Sequence, residues 1–424
     1  MIVCRQPVRS RDHSMTRARP ISHQFHANPD WAKLPLFDRK GWKRVRFGDV
    51  VENINETCDP EGAGLARFIG LEHLEPGSLH VRKWGDVSDG TTFTRQCRPG
   101  QVLFGKRRAY QRKVAVAEFD AVVSGDIYVL APKNDKLLSQ LLPFICLSER
   151  FFQHAVGTSA GSLSPRTNWS SLATFEFDLP PLDQQRRIAE ILWAADENIE
   201  ASSANLVNLT ALRQVSMEEY TLYGKSAKND KSKKVKYPMR FLNEMATCQY
   251  GLSCPLSENG TYPVLRMMNY DEELVAATDL KYADMPTEVA AAFAVNKGDI
   301  LFNRTNSADL VGKLGIFNLD GCYLFASYLV RVVTNRKALL PEFLNYYLNS
   351  PHGQSAIRAF ATPGVSQANI SAGNLKKVKI PIAPIQEQKT IVSSLDEIAS
   401  TYRSSRSHVA TQRAMLQTLI NEIL

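Results

Sequence analysis

A segment of thirteen residues that occurs twice constrains the fold of this chain more than any other feature of its sequence. The first copy is PPLDQQRRIAEIL at Pro180–Leu192, and the second is APIQEQKTIVSSL at Ala383–Leu395. The copies lie 203 positions apart, which is about half of the 424 residues. Solenoid repeats have periods of roughly 20–50 residues, so this spacing instead favours a duplicated unit that consists of a domain and a helix.

Each copy predicts the start of a long helix. Proline fits the first turn of a helix but not its interior, so Pro180 and Pro181 end a strand and admit a helix, with Asp183 as the expected N-cap. The apolar residues that follow are spaced alternately four and three positions apart, which is the heptad pattern of a coiled-coil seam. The seam residues are Ile188, Leu192, Ala195, Ile199, Leu206 and Leu209 in the first helix, and Ile391, Leu395, Ile398, Tyr402, Val409 and Leu416 in the second. Ser202 and Ser405 interrupt the two seams at equivalent positions.

The segment between the two halves predicts the direction in which the helices pair. Residues 225–236 (KSAKNDKSKKVK) contain six lysines and form a solvated linker by composition. A parallel pair would require the linker to return along a helix of roughly 60 Å, whereas its extended length is about 40–43 Å. We therefore expect an antiparallel coiled coil, the alternative being that each helix packs on its own domain.

The segments that precede the helices read as two similar α+β domains. Each has short strand-like runs, then a helical stretch (about 136–156 and 340–361), then a closing strand with alternating apolar residues. The clearest matches between the domains are Phe68–Leu74 (FIGLEHL) with Val264–Tyr270 (VLRMMNY), and Gly100–Arg107 (GQVLFGKR) with Gly298–Thr305 (GDILFNRT).

The predicted fold is α+β, with two similar globular domains, each followed by a long α-helix, and with the helices forming an antiparallel coiled coil of pseudo-two-fold symmetry. We call the first domain head 1 and the second head 2. The predicted boundaries are 41–180 for head 1, 181–224 for the first helix, 225–236 for the linker, 237–383 for head 2 and 384–424 for the second helix. Residues 1–40 are expected to be disordered, or the natural start is Met15.

Composition limits the class of protein. No run of eighteen apolar residues occurs and the N-terminus lacks the apolar core of a secretory signal, so neither a membrane span nor export is expected. The seven cysteines are scattered without a C-x-x-C pair, which argues against zinc sites and disulfides and fits a cytoplasmic location. A net charge of +8 permits binding to a polyanion.

The repeated P-[LI]-x-x-Q-x-x-I-x-x-x-L helix entry, the G-[QD]-[VI]-L-F segment and the twofold order of domain and helix together resemble the specificity (S) subunit of a Type I restriction–modification system. The resemblance covers about Gly41–Leu424. It implies that each head is a target recognition domain that reads one half of a bipartite, asymmetric double-stranded DNA site. It also implies that the helices set the spacer and dock two methyltransferase (M) subunits, that restriction (R) subunits complete the complex, and that this chain is not catalytic. S-adenosylmethionine, ATP and Mg would then belong to the partner subunits, and no cofactor to this chain.

Two segments of each head are candidates for DNA contact. Arginine can neutralise phosphate or pair with guanine, and asparagine can pair with adenine. The first segment holds Lys106, Arg107, Arg108, Tyr110, Arg112 and Lys113 in head 1, and Asn303, Arg304, Asn306 and Lys313 in head 2. The second holds Ser162, Ser164, Arg166 and Asn168 in head 1, and Ser366, Gln367 and Asn369 in head 2. The alternatives are a solvated basic surface and ordinary divergence for the first segment, and a structural loop that caps the helix entry for the second.

Several known catalytic motifs are absent from the sequence. We find no G-x-x-x-x-G-K-[ST] phosphate loop and no H-E-x-x-H, nor the N-P-P-[YF] or D-P-P-Y tetrapeptide of amino-methyltransferases. We therefore predict no catalytic or metal-binding residues. The competing hypothesis is a coiled-coil scaffold whose heads bind proteins and have no DNA-reading role. A third hypothesis is a cryptic nuclease or methyltransferase.

Overall fold

The structure, a computed structural model, describes residues 39–225, 235–307, 310–363 and 367–424. These residues divide into two compact units. Unit 1 contains the described residues up to Ser202 together with His408–Leu424, and unit 2 contains Ser203–Ser407. Both long helices therefore contribute residues to both units, while each head lies within one unit.

Head 1 is built on two small sheets. Its strands are β1 (Lys43–Arg46), β2 (Val51–Ile54), β3 (Arg67–Ile69), β4 (Gly85–Asp86), β5 (Arg95–Cys97), β6 (Val102–Gly105), β7 (Val114–Val116), β8 (Ala121–Val123), β9 (Ile127–Pro132) and β10 (Glu176–Leu179). One sheet has the antiparallel order β2-β9-β6-β7, and the other has the order β4-β3-β8-β5, in which β3 and β8 are parallel. β1 pairs with the closing strand β10.

The helices of head 1 cover the first sheet. They are α1 (Phe47–Val50), α2 (Leu142–Leu147), α3 (Glu149–Gly157) and α4 (Trp169–Leu172), followed by the long α5 (Leu182–Tyr223). All four residues of β6 are buried, and the ring of Phe104 lies 5.3 Å from that of Phe151 in α3, measured between centroids. Burial on both faces explains why β6 reads as a continuous apolar run.

Head 2 repeats this plan with an extended sheet. Its strands are β11 (Met239–Phe241), β12 (Ala246–Tyr250), β13 (Tyr262–Leu265), β14 (Tyr270–Asp271), β15 (Leu274–Val275), β16 (Lys281–Ala283), β17 (Ile300–Asn303), β18 (Thr305–Asn306), β19 (Leu314–Ile316), β20 (Leu324–Phe325), β21 (Leu329–Thr334), β22 (Thr362–Pro363), β23 (Ala368–Asn369) and β24 (Lys379–Pro381). Its helices are α6 (Leu242–Met245), α7 (Thr287–Phe293), α8 (Pro341–Asn349), α9 (Pro351–Arg358) and α10 (Ala372–Leu375), and α11 (Ile385–Ile423) is the second long helix.

The sheets of head 2 correspond to those of head 1. The largest has the order β12-β21-β17-β19-β15-β14, so β17 occupies the central place that β6 holds in head 1. The other groups are β16-β13-β20, β18-β23-β22 and the closing pair β11-β24.

The helical stretch predicted near the end of each head is two helices, not one. Ser148 separates α2 from α3, and Ser350 separates α8 from α9. Both serines have extended backbone, and the hydroxyl of each accepts a hydrogen bond from the backbone of the next helix, from Phe151 in one head and Gly353 in the other. A serine N-cap starts a new helix because its oxygen satisfies a free amide of the first turn.

A buried glutamine explains why the repeated segment begins each long helix. The Gln185 side chain accepts a hydrogen bond from Leu138 N (2.9 Å) and donates to Lys136 O (2.7 Å) and Pro180 O (2.9 Å). Gln388 does the same in head 2. It accepts from Leu340 N (2.8 Å) and donates to the carbonyl oxygens of Ala338 (2.9 Å) and Ala383 (2.7 Å). Each glutamine therefore ties the start of its helix to the main chain of its own head.

The predicted fold class is confirmed, and the helix pairing is visible within each unit. In unit 1, Ile188 and Leu192 near the start of α5 share an apolar cluster with Ile420 near the end of α11. In unit 2, Met217 near the end of α5 shares a cluster with Leu395 near the start of α11. The start of one helix lies beside the end of the other in both cases, so the helices are antiparallel.

The seam residues differ in burial along the helices. Ile188, Leu192, Ile199, Ile391, Leu395, Tyr402 and Val409 are buried, whereas Ala195, Leu206, Leu209, Ile398 and Leu416 are half-buried.

The expected N-cap is wrong. Helix α5 begins at Leu182, which places Asp183 inside the first turn, where its carboxylate faces the positive end of the helix dipole. No helix in the described part of the chain is long and apolar enough to cross a membrane.

Candidate nucleic-acid interface

The two candidate segments of head 1 lie side by side. Arg107 pairs with Arg166, and Arg166 pairs with Ala160, as antiparallel β-bridges. Backbone hydrogen bonds join Arg108 N to Pro165 O (2.7 Å) and Thr167 N to Lys106 O (3.1 Å). We call this group of residues, 106–108 together with 160–167, patch 1.

Head 2 brings its candidate segments together in the same way. Strand β18 pairs with β23, which pairs in turn with β22, and Ile370 N donates to Arg304 O (2.9 Å). We call residues 304–306 and the described residues of 362–370 patch 2. The sequence presents the segments as separate candidates, whereas the structure makes them one surface in each head.

A single carboxylate organises the arginines of patch 1. Asp126 accepts hydrogen bonds from Arg107 Nη1 (3.2 Å) and Arg166 Nε (2.7 Å). Burial alone would raise the pKa of Asp126, but the two arginines hold it below its usual range. Ser164 Oγ accepts from Arg107 (3.0 Å) and Arg108 (3.2 Å), so the hairpin at 160–166 is fixed to the basic segment by side chains as well as backbone.

The other cations of the basic segment have internal partners. Lys106 Nζ lies 4.8 Å from the ring centroid of Tyr128, and burial lowers the pKa of this lysine. Arg112 forms an ion pair with Glu149, in which Nη2 lies 2.7 Å from Oε1. Lys113 Nζ donates to a backbone carbonyl oxygen, that of Leu71, at 2.6 Å. Hydrogen bonds and ion pairs within head 1 therefore hold this segment in place.

Two large exposed side chains project from head 1, one within patch 1 and one beside it. Tyr110 is 55% exposed on a 3-10 turn between Arg108 and Arg112, whose φ angles of 53° and 55° are in the left-handed region that residues other than glycine rarely adopt. Leu163 is 90% exposed at the tip of the hairpin, beside the exposed Ser162. The sequence does not mark Leu163 as a candidate, because a single leucine in a polar loop forms no periodic or clustered pattern.

Asn168 has a structural role in the structure. Its side chain accepts a hydrogen bond from Ser171 N (2.8 Å) and caps helix α4. The helix that it caps is α4, and not the long α5 whose entry the structural alternative concerns.

Patch 2 presents aromatic and amide groups. Arg304 lies over the ring of Tyr250, with Cζ 5.1 Å from the centroid, and donates to Asn369 Oδ1 (3.3 Å). Tyr328 is half-exposed and occupies the position of Asp126 in head 1, since Arg304 N donates to Tyr328 O as Lys106 N donates to Asp126 O.

The remaining candidates of head 2 have different surroundings. Asn303 is fully buried, so its predicted DNA contact is wrong for this conformation, and neither of its amide atoms has a hydrogen-bond partner among the described residues. Asn306 Oδ1 accepts from Ser307 N (2.8 Å), and Lys313 Nζ lies 5.7 Å from the ring centroid of Tyr270. Gln367 is exposed, and Ser366 lies outside the described residues.

The sequence profile of the Type I restriction modification DNA specificity domain matches residues 39–210 and again residues 235–407. The chain belongs to this family. The two matches coincide with the two heads and the first part of the helix that follows each of them.

Individual specificity subunits are similar to this chain at low identity. The EcoKI specificity subunit of Escherichia coli strain K12 is 24% identical over 280 residues, which cover 62% of this chain and 60% of that protein. The putative MjaX specificity subunit of Methanocaldococcus jannaschii is 30% identical over 138 residues, or 32% of each protein. The chain thus spans less than two thirds of the length of these relatives.

The fold is that of solved S subunits. The crystal structure of the S subunit of a Type I restriction–modification system from M. genitalium superposes with a TM-score of 0.54 at 12% identity. The superposition covers 92% of this chain and 98% of that one.

Proposed function

We propose that this chain is the DNA-recognition subunit of a Type I restriction–modification complex, and that patch 1 and patch 2 each read one half of a bipartite, asymmetric DNA site. One observation carries the proposal: the same two-segment patch recurs in both heads with different polar side chains. The shared backbone supplies two equivalent surfaces, and the differing side chains supply two different preferences for bases.

The chemistry of the two patches suits different bases. In patch 1, the guanidinium groups of Arg107 and Arg166 are held in place by Asp126 and remain partly exposed, which suits bidentate pairing with guanine. In patch 2, Asn306 and Asn369 supply amides, which suit adenine. These side chains would read bases, while backbone amides and other cations of the heads would contact phosphates.

The long helices would set the spacer between the half-sites and dock two methyltransferase subunits. Apolar side chains remain exposed on both helices at equivalent positions, Leu212 on α5 and Met415 on α11. Val207 and Val215 are also exposed on α5. Exposed apolar residues that recur along a helix are typical of a protein interface. Restriction subunits would join the complex for cleavage.

In this proposal, the chain supplies recognition and its partners supply the chemistry. S-adenosylmethionine would bind the methyltransferase subunits, and ATP and Mg²⁺ would act on the partner subunits. This division agrees with the names of the relatives, which are specificity subunits.

Methylome sequencing tests the proposal directly. The full chain, expressed with its methyltransferase subunits, should direct adenine methylation to one split sequence motif. Exchange of patch 1 residues should change one half of that motif and leave the other half and the spacer unchanged. Absence of a new split motif would contradict the proposal, and so would a change in both halves.

A salt series separates this function from the scaffold hypothesis. Each phosphate contact contributes about −0.9 to the slope of log K against log salt for duplex DNA, so DNA recognition predicts a steep negative slope. A flat slope, measured with the complete methyltransferase complex, would favour protein-binding heads.

A further inference from the structure

Each head touches the long helices through the same edge of its sheet. In head 1, Val116 N of β7 donates to Leu79 O (2.8 Å), and His80 pairs in parallel with Val116. In head 2, Ile316 N of β19 donates to Glu273 O (2.8 Å), and Leu274 pairs in parallel with Ile316. Residues 78–82 and 271–274 are therefore structural equivalents, and we call them docking edge 1 and docking edge 2.

Docking edge 1 presents cations to carboxylates of α5. The ring of His80 contacts Asp196 through Nε2 and Glu118 through Nδ1, both at 2.8 Å. Arg82 pairs with Glu200 of α5 and, at 2.8 Å, with Glu75 of its own head. Asp196 is buried, so its charge has to be matched by the histidine that contacts it.

Docking edge 2 has the reverse polarity. It presents Asp271, Glu272 and Glu273 to Arg213 of α5 and Arg406 of α11. Arg213 is 3% exposed and pairs with Glu272 (3.1 Å) and with the buried Glu273. Arg406 lies 3.0 Å from Glu272 and 2.8 Å from Asp271.

An aromatic ring of α11 also contacts the arginine that pairs with docking edge 2. The guanidinium of Arg213 lies over the ring of Tyr402, with Cζ 4.6 Å from the centroid. Tyr402 is the repeat equivalent of Ile199, so this ring has no counterpart in the first helix.

The shared backbone fold of the two heads does not require the two docking edges to carry opposite charges. The same offset that matches Gln185 with Gln388 matches Glu200 with Arg403, so equivalent surfaces of the two helices carry opposite charge. Buried ion pairs contribute little net stability compared with apolar packing, and their best-attested use is to specify which partners meet and in which register. A head placed on the wrong helix would meet like charges, which is how unwanted pairings are disfavoured.

We propose that docking edges 1 and 2 are positioning surfaces of opposite polarity, which hold each head at its own place and orientation on the helices. This inference rests on the proposed function: with each reading patch fixed, the complex accepts one spacer length, and the heads cannot exchange positions. The residues act on spacing and not on base identity, because they belong to the docking edges and not to the patches.

Charge-swap variants test this role. Arg82→Glu and Glu200→Arg, each made in the full chain with its methyltransferase subunits, should increase the fraction of methylation at spacers one base pair longer or shorter by several-fold. The two half-site sequences should stay the same. The double variant R82E/E200R should restore the single spacer, since it re-forms the pair with its polarity exchanged.

Arg98 and Glu56 provide a matched control. They form an exposed ion pair at 2.7 Å, and both partners belong to head 1. Their single and double reversals should leave the spacer unchanged. A single spacer in R82E and E200R would overturn the proposal, as would failure of the double variant to rescue, or a changed half-site.

A second measurement distinguishes failure of this inference from failure of the proposed function. Hydrogen exchange of the full chain should show faster exchange at residues 78–82 in R82E and recovery in R82E/E200R. Unchanged exchange would overturn the docking role even if methylation were normal. Absence of any split motif in the unaltered complex would instead overturn the proposed function, whatever the exchange result.

Discussion

Patch 1 and patch 2 place different side chains beside the same backbone hydrogen bond. In head 1 the carbonyl that accepts from Lys106 N belongs to Asp126, whose carboxylate gathers two arginines. In head 2 the equivalent carbonyl belongs to Tyr328, which has no carboxylate. Arg304 instead lies over the ring of Tyr250 and donates a hydrogen bond to Asn369. The docking edges differ in the same manner, since their backbone pairing agrees and their charges are opposite. The two heads therefore share their backbone hydrogen bonding, while their side chains give each head its own chemistry and position.

The largest expected effect compares the two docking edges. Arg213→Ala should destabilise unit 2 by about 3–5 kcal/mol, because it leaves the buried Glu273 without its partner. Arg82→Ala should cost unit 1 about 1 kcal/mol or less, because that pair is partly solvated. Hydrogen exchange resolved by unit measures both. Equal losses would contradict the view that the ion pairs of docking edge 2 are more deeply buried than those of docking edge 1.

The two glutamines at the starts of the long helices, Gln185 and Gln388, should contribute equally to stability. Gln185→Ala and Gln388→Ala should each cost roughly 3 kcal/mol, because each variant leaves one backbone amide and two backbone carbonyls without their hydrogen-bond partner. Local exchange at the start of α5 or α11 reports the loss. Gln184→Ala on the same turn is a control; its side chain binds Trp42 Nε1 (2.7 Å) and is less buried, so a smaller loss is expected. A large difference between the stability losses of Gln185→Ala and Gln388→Ala would show that the repeated segments are not equivalent.

Loss of one base-reading side chain should affect one half-site. Arg107→Ala should weaken binding by about 1–3 kcal/mol and relax selectivity in one half only, and Asn369→Ala should do the same in the other half. Quantitative binding to single-base variants of the methylated motif measures this. Relaxation of the same half by both variants would show that the two patches do not read separate halves.

The first docking edge should be sensitive to alkaline pH and the second should not. Burial would lower the pKa of His80, but hydrogen bonds to Asp196 and Glu118 raise it from 6.5 to about 10. Glu200 adds to the attraction. The folded state therefore binds more protons than the unfolded state between these values, so the stabilisation is complete below pH 6.5 and is lost as pH rises through about 10.

The expected loss for unit 1 is roughly 1–2 kcal/mol. The measurement is the stability of unit 1 as a function of pH in the unaltered chain and in His80→Asn, in which this dependence should disappear. Persistence of the same pH dependence in the variant would assign it to another group.

The smallest effect concerns the carboxylate that distinguishes patch 1. Asp126→Asn removes one negative charge beside Arg107 and Arg166, so patch 1 should meet DNA with one more net positive charge and the slope of log K against log salt should steepen by about one unit. Tyr328→Phe in patch 2 removes a hydroxyl without a charge and should leave the slope unchanged. An unchanged slope in Asp126→Asn would mean that the two arginines do not face DNA.

Repetition made the architecture predictable from the sequence. The spacing of Pro181 and Pro384, the heptad seams and the short linker led to two α+β heads on antiparallel helices, because each of these is a local pattern with a direct geometric meaning. The split at Ser148 and Ser350 was missed, because a capping serine within an apolar helical stretch is read as one more polar residue.

The candidate site was predictable in its location but not in its chemistry. Arg112 looked like a free cation, yet Glu149, thirty-seven positions away, binds it. Asn303 looked like a reader of adenine, yet it continues a buried strand. In both cases the deciding partner or burial comes from strand register and tertiary packing, which no local pattern encodes.

The glutamine at the start of each helix has a consequence for how such chains evolve. Gln185 bonds to main-chain atoms alone, those of Leu138, Lys136 and Pro180. A junction that recognises backbone tolerates almost any change of side chain on the other side of it. A head of different ancestry could be joined to the helix by recombination at the proline pair. It would form the same hydrogen bonds with the glutamine, provided that its backbone had the same conformation there. Ancestry of a head and ancestry of its helix can therefore differ within one gene.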